Sequence, residues 1–181
     1  MNQISFVIGR FQPFHIGHKQ LVDKALLNGR RVVVFIGSSD KSRTESNPFT
    51  AEERMDIISS CFEDKELRRI VFVALPDFDT DKEWLDHIVS SLVLIRQDSS
   101  TFTFVCSDKD PSTALMNSLV SQLPCVDTYT THPFQKVNAT DIRSLLKENK
   151  LLCTIPGLNK ETFMKLGEYR KLINWHVEED V

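Results

Sequence analysis

A series of short apolar runs, each too short for a buried helix and each followed by a segment of helical periodicity, constrains this chain more than any other feature. "ISFVIG" (4–9), "RVVVFIG" (31–37), "RIVFVAL" (69–75) and "TFTFVCS" (101–107) are rich in β-branched and aromatic residues, and "CVDTYTT" (125–131) is a weaker fifth run. Their hydrophobicity is continuous rather than alternating, which is the pattern of strands buried on both faces. A parallel sheet sandwiched between helices accommodates such strands.

The intervening segments supply those helices. "HKQLVDKALLNG" (18–29) places Leu21, Val22, Ala25 and Leu26 on one face, and Gly29 is the expected stop. "TAEERMDIISSCF" (50–62) opens on Thr50 with Glu53 three residues later, the signature of a capping box. Further helices are expected over 81–95, 112–123, 140–149 and 159–177. The strict strand–helix alternation predicts a doubly wound α/β fold, whose ligands bind in the crevice beyond the carboxyl ends of the strands.

Length and charge narrow the rest. A chain of 181 residues is expected to form one domain, 1–181, with the last helix packed on it or at an oligomer interface. Phe163, Leu166, Tyr169, Leu172 and Ile173 mark the apolar side of that helix. With 22 basic and 25 acidic residues, a net charge of -3 and no basic stripe, neither nucleic acid nor an anionic membrane is an expected partner. No run approaches the roughly 20 apolar residues of a membrane span. The N-terminus lacks the basic start of a secretory signal. Cys61, Cys106, Cys125 and Cys153 form no CxxC pair, so free thiols in a reducing, cytoplasmic setting are expected. No group of His, Cys, Asp and Glu has metal-ligand spacing, and no protein metal site is assigned.

"GRFQPFHIGH" (9–18) is the loop leaving the first strand. A helix starting at about His18 would put the loop in the crevice, where unpaired N–H groups and the positive end of the helix suit a phosphate. Gly17 would let the backbone approach closely. His15 and His18 could both turn to one anion, with Arg10 and Gln12 adding polar reach and Pro13 stiffening the loop. Taken alone, the HxGH pattern fits a turn with surface histidines equally well; its place after a buried strand favours the phosphate reading. In "NATDIR" (138–143), Arg143 stands in the first turn of a helix with Thr140 near the N-cap. That pair could clasp phosphates across the crevice, or be a simple cap and an exposed arginine.

"GRFQPFHIGH" resembles the N-terminal signature of the HxGH nucleotidylyltransferases. In its full form it resembles the nicotinamide mononucleotide (NMN) adenylyltransferases of the archaeal type and of the type fused to a Nudix domain. "GSSDKSRTESNPFTAEER" (37–54) is similar to that family's second-strand loop, with Arg43, Asn47, Pro48, Phe49 and Thr50 in place. "NATDIR" is similar to its C-terminal phosphate-binding motif. "CSDKDPSTALMNSL" (106–119) resembles its Gly-His-x-Lys-Asp stretch, keeping Lys109 and Asp110 but carrying Cys106 and Ser107 where the family has glycine and histidine.

The resemblance implies a Rossmann-like five-stranded parallel sheet in the order 3-2-1-4-5 with a C-terminal helical segment. It implies transfer of AMP from ATP to NMN, giving NAD and pyrophosphate. His15, His18 and Arg143 are the catalytic residues it implies, with Gly9, Arg10, Phe11, Gln12, Gly17, Lys109, Asp110, Asn138 and Thr140 around ATP. Arg43, Asn47 and Trp84 fall to NMN. Trp84 is related by helical spacing to His87, Ile88 and Ser91, which fits the core; in the family reading its ring stacks on the cationic pyridine. Mg2+ is expected to arrive on the ATP phosphates. The implied partners are the small molecules ATP and NMN, with a homo-oligomer left open. The similarity of the C-terminal segment to the end of a Nudix-fused transferase domain carries the expectation of no second activity. Two other readings stand beside this one. One is an HxGH transferase acting on pantetheine phosphate, flavin mononucleotide or a polyol phosphate, and the other is a nucleotide sensor that does not turn over. A class I aminoacyl-tRNA synthetase is disfavoured by the lack of a Lys-Met-Ser-Lys-Ser segment.

Overall fold

The computed structural model describes residues 3–96, 101–107, 111–124, 126–131, 137–148 and 157–169. Strands β1 (Gln3–Gly9), β2 (Arg31–Gly37), β3 (Ile70–Leu75), β4 (Thr101–Ser107) and β5 (Val126–Thr131) form one sheet in the order β3-β2-β1-β4-β5. Every neighbouring pair is parallel. Helices α1 (Ile16–Asn28), α2 (Ala51–Ser59), α3 (Asp64–Leu67), α4 (Asp81–Ile95), α5 (Pro111–Ser121), α6 (Ala139–Lys147) and α7 (Lys160–Tyr169) occupy the connections and the end of the chain. The expected fold is therefore the observed one. Strand order reverses between β1 and β4, so the loop leaving β1 lies at the switch point where doubly wound folds bind ligands.

The continuous apolar runs are explained by two cores, one on each face of the sheet. Val7, Val32, Val34, Ile36 and Val105 pack with residues of α1, α2, α6 and α7. Phe6, Ile8, Val33, Phe35 and Phe104 pack on the other side with Ile88 and Leu92 of α4 and Val120 of α5. Alternate residues of the inner strands enter opposite cores, which keeps the runs apolar on both faces apart from the buried Ser5 of β1 and Thr103 of β4. β5 reads weakly because it is an edge strand whose four central residues are exposed.

Local details depart from the sequence reading in two places. The stop at Gly29 is not a left-handed cap: its φ is -121°, and a Cβ there would meet Ser5 Oγ at 2.5 Å, so close approach to β1 is what requires glycine. The segment after α2 contains the short α3, which periodicity over four residues cannot reveal. Helix α7 is described only to Tyr169, and the expected helix over 170–177 lies outside the described residues, as do Cys125, Cys153, Lys109 and Asp110. The capping box is formed as expected, with Thr50 Oγ1 accepting from Glu53 N at 3.2 Å and Glu53 Oε2 accepting from Thr50 N at 2.9 Å.

Helix α7 is tied to α2 by a polar contact. Tyr169 donates to Asp56 Oδ2 at 2.6 Å, and Lys165 pairs with the same oxygen at 2.9 Å. The bond to Asp56, reinforced by burial, pushes the Tyr169 hydroxyl up to about 12. Among the described residues, no helix is long and apolar enough to cross a membrane.

Candidate active site

The site is built on three loops at the carboxyl ends of β1, β2 and β3 and on the start of α6. α1 begins at Ile16, two residues earlier than its apolar pattern indicates, because His15 is the N-cap. His15 Nδ1 accepts from the backbone N–H of Gly17 at 3.1 Å and of His18 at 3.4 Å. An Nδ1 that accepts leaves the proton of the neutral ring on Nε2, which is then a donor. The N–H of Ile16 is taken by the carbonyl of Gly157 at 2.9 Å. This corrects the expectation of a phosphate held by free N–H groups at the helix start: all three first-turn donors are occupied from within the protein. What remains for an anion is the field of the helix end and the side chains around it.

Those side chains are closely packed. The His15 and His18 rings stack with centroids 3.7 Å apart and planes 21° apart. Phe11 meets the His18 ring edge-on at 4.9 Å, and Phe14 lies beside it at 5.8 Å. His15 is buried and its ring is fixed by its cap bonds. Gly17 makes room for that ring, since a Cβ there would stand 3.1 Å from it, and Gly9 makes room for the Phe11 ring in the same way. Both glycines therefore serve the packing of the motif. Phe11 is likewise buried, and its side chain belongs to the core.

Arg143 joins the second motif to the first. From the first half of α6 its Nη1 donates to the Gln12 carbonyl at 2.8 Å, and its Nη2 to Thr140 Oγ1 at 3.0 Å. "TDIR" and "FQPFH" thus share one wall of the crevice. The N-cap of α6 is Asn138, whose Oδ1 accepts from Thr140 N at 3.0 Å, so Thr140 is the arginine's support and not the cap. Burial first and the nearby charge of Arg10 second lower the pKa of the Arg143 guanidinium. Arg10 itself is exposed, and its charge is felt by Arg54, Asp77 and Arg143, which places it among them.

Two residues read as ligand contacts are engaged inside the protein instead. Gln12 is buried; its Nε2 donates to the Phe49 carbonyl at 2.8 Å and its Oε1 accepts from Phe49 N at 3.0 Å. It fastens the β1 loop to the "NPFT" loop as a strand pair would. Arg43 forms a two-armed ion pair with Glu53 and donates to the Pro48 carbonyl at 3.0 Å. Asn47 behaves differently: it is buried, and among the described residues its side-chain Oδ1 has no hydrogen-bond partner. A buried acceptor in that state is open to a donor from water or a bound molecule.

On the β3 side, Ser38 Oγ donates to Asp77 Oδ1 at 2.9 Å, Lys41 pairs with Asp77, and Asp40 accepts from Asp77 N at 2.9 Å. Burial alone would raise the Asp77 carboxyl, but the hydrogen bonds from Lys41 and Ser38 outweigh it and hold the group below its usual range. Trp84 sits half-buried in the first turn of α4, against the same apolar cluster as Phe78 and Leu85. His87 is no free surface residue: its Nε2 lies 3.0 Å from the Ala74 carbonyl and its ring against Phe78. Among the described residues, no three of His, Cys, Asp and Glu gather as a metal cluster.

A five-stranded parallel sheet in the order β3-β2-β1-β4-β5, with a stacked histidine pair at its switch point, defines a Rossmann-like protein. The chain belongs to the cytidylyltransferase-like family, whose model matches residues 6–154. It is 31% identical over 145 residues to a nicotinamide/nicotinic acid mononucleotide adenylyltransferase of Acinetobacter baylyi, a match covering 80% of this chain and 76% of that protein. It is 41% identical over 86 residues to a nicotinamide-nucleotide adenylyltransferase of Methanolobus tindarius, covering 48% of this chain and about half, 49%, of that relative. In three dimensions it is similar to a bifunctional NMN adenylyltransferase/ADP-ribose pyrophosphatase of Francisella tularensis solved with AMP and a manganese ion. The TM-score is 0.76 at 23% identity, over 96% of this chain and 52% of that one. At that identity the likeness speaks for the fold.

Proposed function

We propose that the protein transfers AMP from ATP to NMN, forming NAD and releasing pyrophosphate. The observation that carries this reading is the bond from Arg143 to the Gln12 carbonyl, which brings the "NATDIR" arginine beside the stacked histidines. The curated relatives of Acinetobacter and Methanolobus, both named for this chemistry, support it.

In the reaction an oxygen of the NMN 5′-phosphate forms a bond to the α-phosphorus of ATP. The bond from that phosphorus to the bridging oxygen breaks, and the electron pair leaves with pyrophosphate. Such a transfer needs positioning and charge stabilisation, and no covalent intermediate on the protein. His15, locked by its cap bonds with a proton on Nε2, and His18 stacked on it supply adjacent donors for the phosphates. Arg143 holds its fork on the same wall, fixed on the Gln12 carbonyl of the histidine loop. A divalent ion, Mg2+ in this reading, would enter on the triphosphate and neutralise part of the leaving group's charge. Asn47 Oδ1 would accept from a hydroxyl or amide N–H of NMN.

Trp84 is assigned to the pyridine side by its place after β3. A cation–π contact of about 1 to 2 kcal/mol corresponds to roughly a tenfold change in affinity. Trp84→Ala is therefore expected to raise KM for NMN about tenfold while leaving KM for ATP in place, read by steady-state pyrophosphate release. An unchanged KM for NMN would reject the stacking role. Pyrophosphate released from ATP only when an acceptor is added separates turnover from simple nucleotide sensing.

A further inference from the structure

Helix α2 carries a buried cation that the histidine and "NATDIR" motifs leave unexplained. Arg54 is completely buried, with 0% exposure, and its hydrogen bonds all go to backbone carbonyls. Nε donates to Thr50 O at 3.1 Å, Nη1 to Arg10 O at 2.8 Å and Gly37 O at 2.7 Å, and Nη2 to Ser38 O at 3.2 Å. A buried guanidinium held by carbonyls alone is costly, and burial lowers its pKa to about 10, still leaving it charged at neutral pH.

The carbonyls it binds fall at two special turns. Phe11 follows Arg10 with φ 52°, and Ser38 follows Gly37 with φ 46°. Residues with a side chain in this left-handed region are strained and persist where their surroundings over-determine them. Arg54 holds the peptide before each of these residues. In a trans peptide the C=O and the following N–H point opposite ways. Drawing the Arg10 and Gly37 carbonyls onto the guanidinium therefore turns the N–H groups of Phe11 and Ser38 away from it.

We propose that Arg54 is the positioning residue of the site, a clamp whose planar fork holds the turns after β1 and β2 in the strained form that sets the histidine loop against the loop of Asp77. One arginine spans both turns because its five donors are spread over three nitrogens. Lysine keeps the charge but gathers its donors on one atom and cannot reach the same carbonyls. The inference rests on the adenylyl-transfer reading for its kinetic measure, and has a separate binding measure that does not depend on the acceptor.

The test uses the whole chain with Arg54→Lys, and Arg54→Gln as a second variant. Folding is checked by circular dichroism and thermal unfolding, and activity is read well below the melting range. A small displacement of reacting groups typically costs about tenfold to a hundredfold, so the folded variants are expected to lose kcat by that factor, with KM for NMN changed less than about threefold. Calorimetric affinity for Mg-ATP without acceptor is expected to fall about tenfold. A folded Arg54→Lys protein with the parent's kcat and ATP affinity would overturn the clamp and leave Arg54 a support of the fold only. Should the parent protein fail to turn over NMN, the ATP arm still decides, because unchanged ATP affinity in a folded variant would overturn the clamp by itself.

Discussion

Alanine at His18 is expected to lower turnover by on the order of a hundredfold or more, the usual cost of losing one donor to oxygens that gain charge in a transition state. The rings of His15 and His18 touch at 3.7 Å, so the variant removes a donor next to another and not an isolated one. Because His18 also packs on Phe11 and Phe14, some stability is lost with it, on the order of 1 to 2 kcal/mol. The measurement is kcat at a temperature where circular dichroism shows the variant folded. The KM for NMN should stay close to that of the parent, since the donor acts on the triphosphate. A folded His18→Ala protein with intact turnover would remove the histidine pair from the chemistry.

The second large effect is expected at Arg143. Its side chain holds the Gln12 carbonyl, and in the proposed reaction it also presents positive charge to the phosphates. Alanine leaves a buried carbonyl without its partner, at about 1 to 3 kcal/mol of stability, and removes the charge as well. Turnover with ATP and NMN should fall about a hundredfold or more. Lysine restores the charge but not the fork that bonds Gln12 and Thr140 together, so Arg143→Lys should recover only a small part of the loss. Full recovery with lysine would mean that charge alone matters and that the geometry joining the two motifs does not.

The strands were legible because burial on both faces leaves an unbroken apolar run, and β2 and β4 begin and end where their runs do. The capping box was legible because it is local: Thr50 and Glu53 need only each other. The position of "GRFQPFHIGH" followed from the strand before it. What stayed hidden depends on partners distant in the chain. The free N–H groups expected at the start of α1 are filled partly by the carbonyl of Gly157, from the far end of the molecule. Gln12 and Arg43 read as ligand-reaching polar residues, yet each has a partner within the protein, Phe49 in the loop after β2 for one and Glu53 in α2 for the other. Polarity does not reveal on which side of a loop a side chain finds its hydrogen bonds.

Arg54 was missed for the opposite reason. An arginine one residue after the capping glutamate reads as a solvated helical position, and only the fold brings the carbonyls of Arg10, Gly37 and Ser38 to it. The one available signal is its helical phase, since Arg54 lies three residues before Ile57 and four before Ile58, both buried. Asn47 was singled out by its place in the "NPFT" loop; its buried, unpartnered oxygen is consistent with the ligand contact proposed there.

The most direct test of adenylyl transfer to NMN is an acceptor comparison with the purified protein, Mg2+ and ATP. NMN, nicotinic acid mononucleotide, pantetheine phosphate, flavin mononucleotide and no acceptor are compared by pyrophosphate release and product mass. The account predicts that NMN triggers pyrophosphate release and yields a product with the mass of NAD, with none formed when the acceptor is omitted. Bound ATP without release in the presence of any acceptor, or release with pantetheine phosphate or flavin mononucleotide and not with NMN, would contradict it.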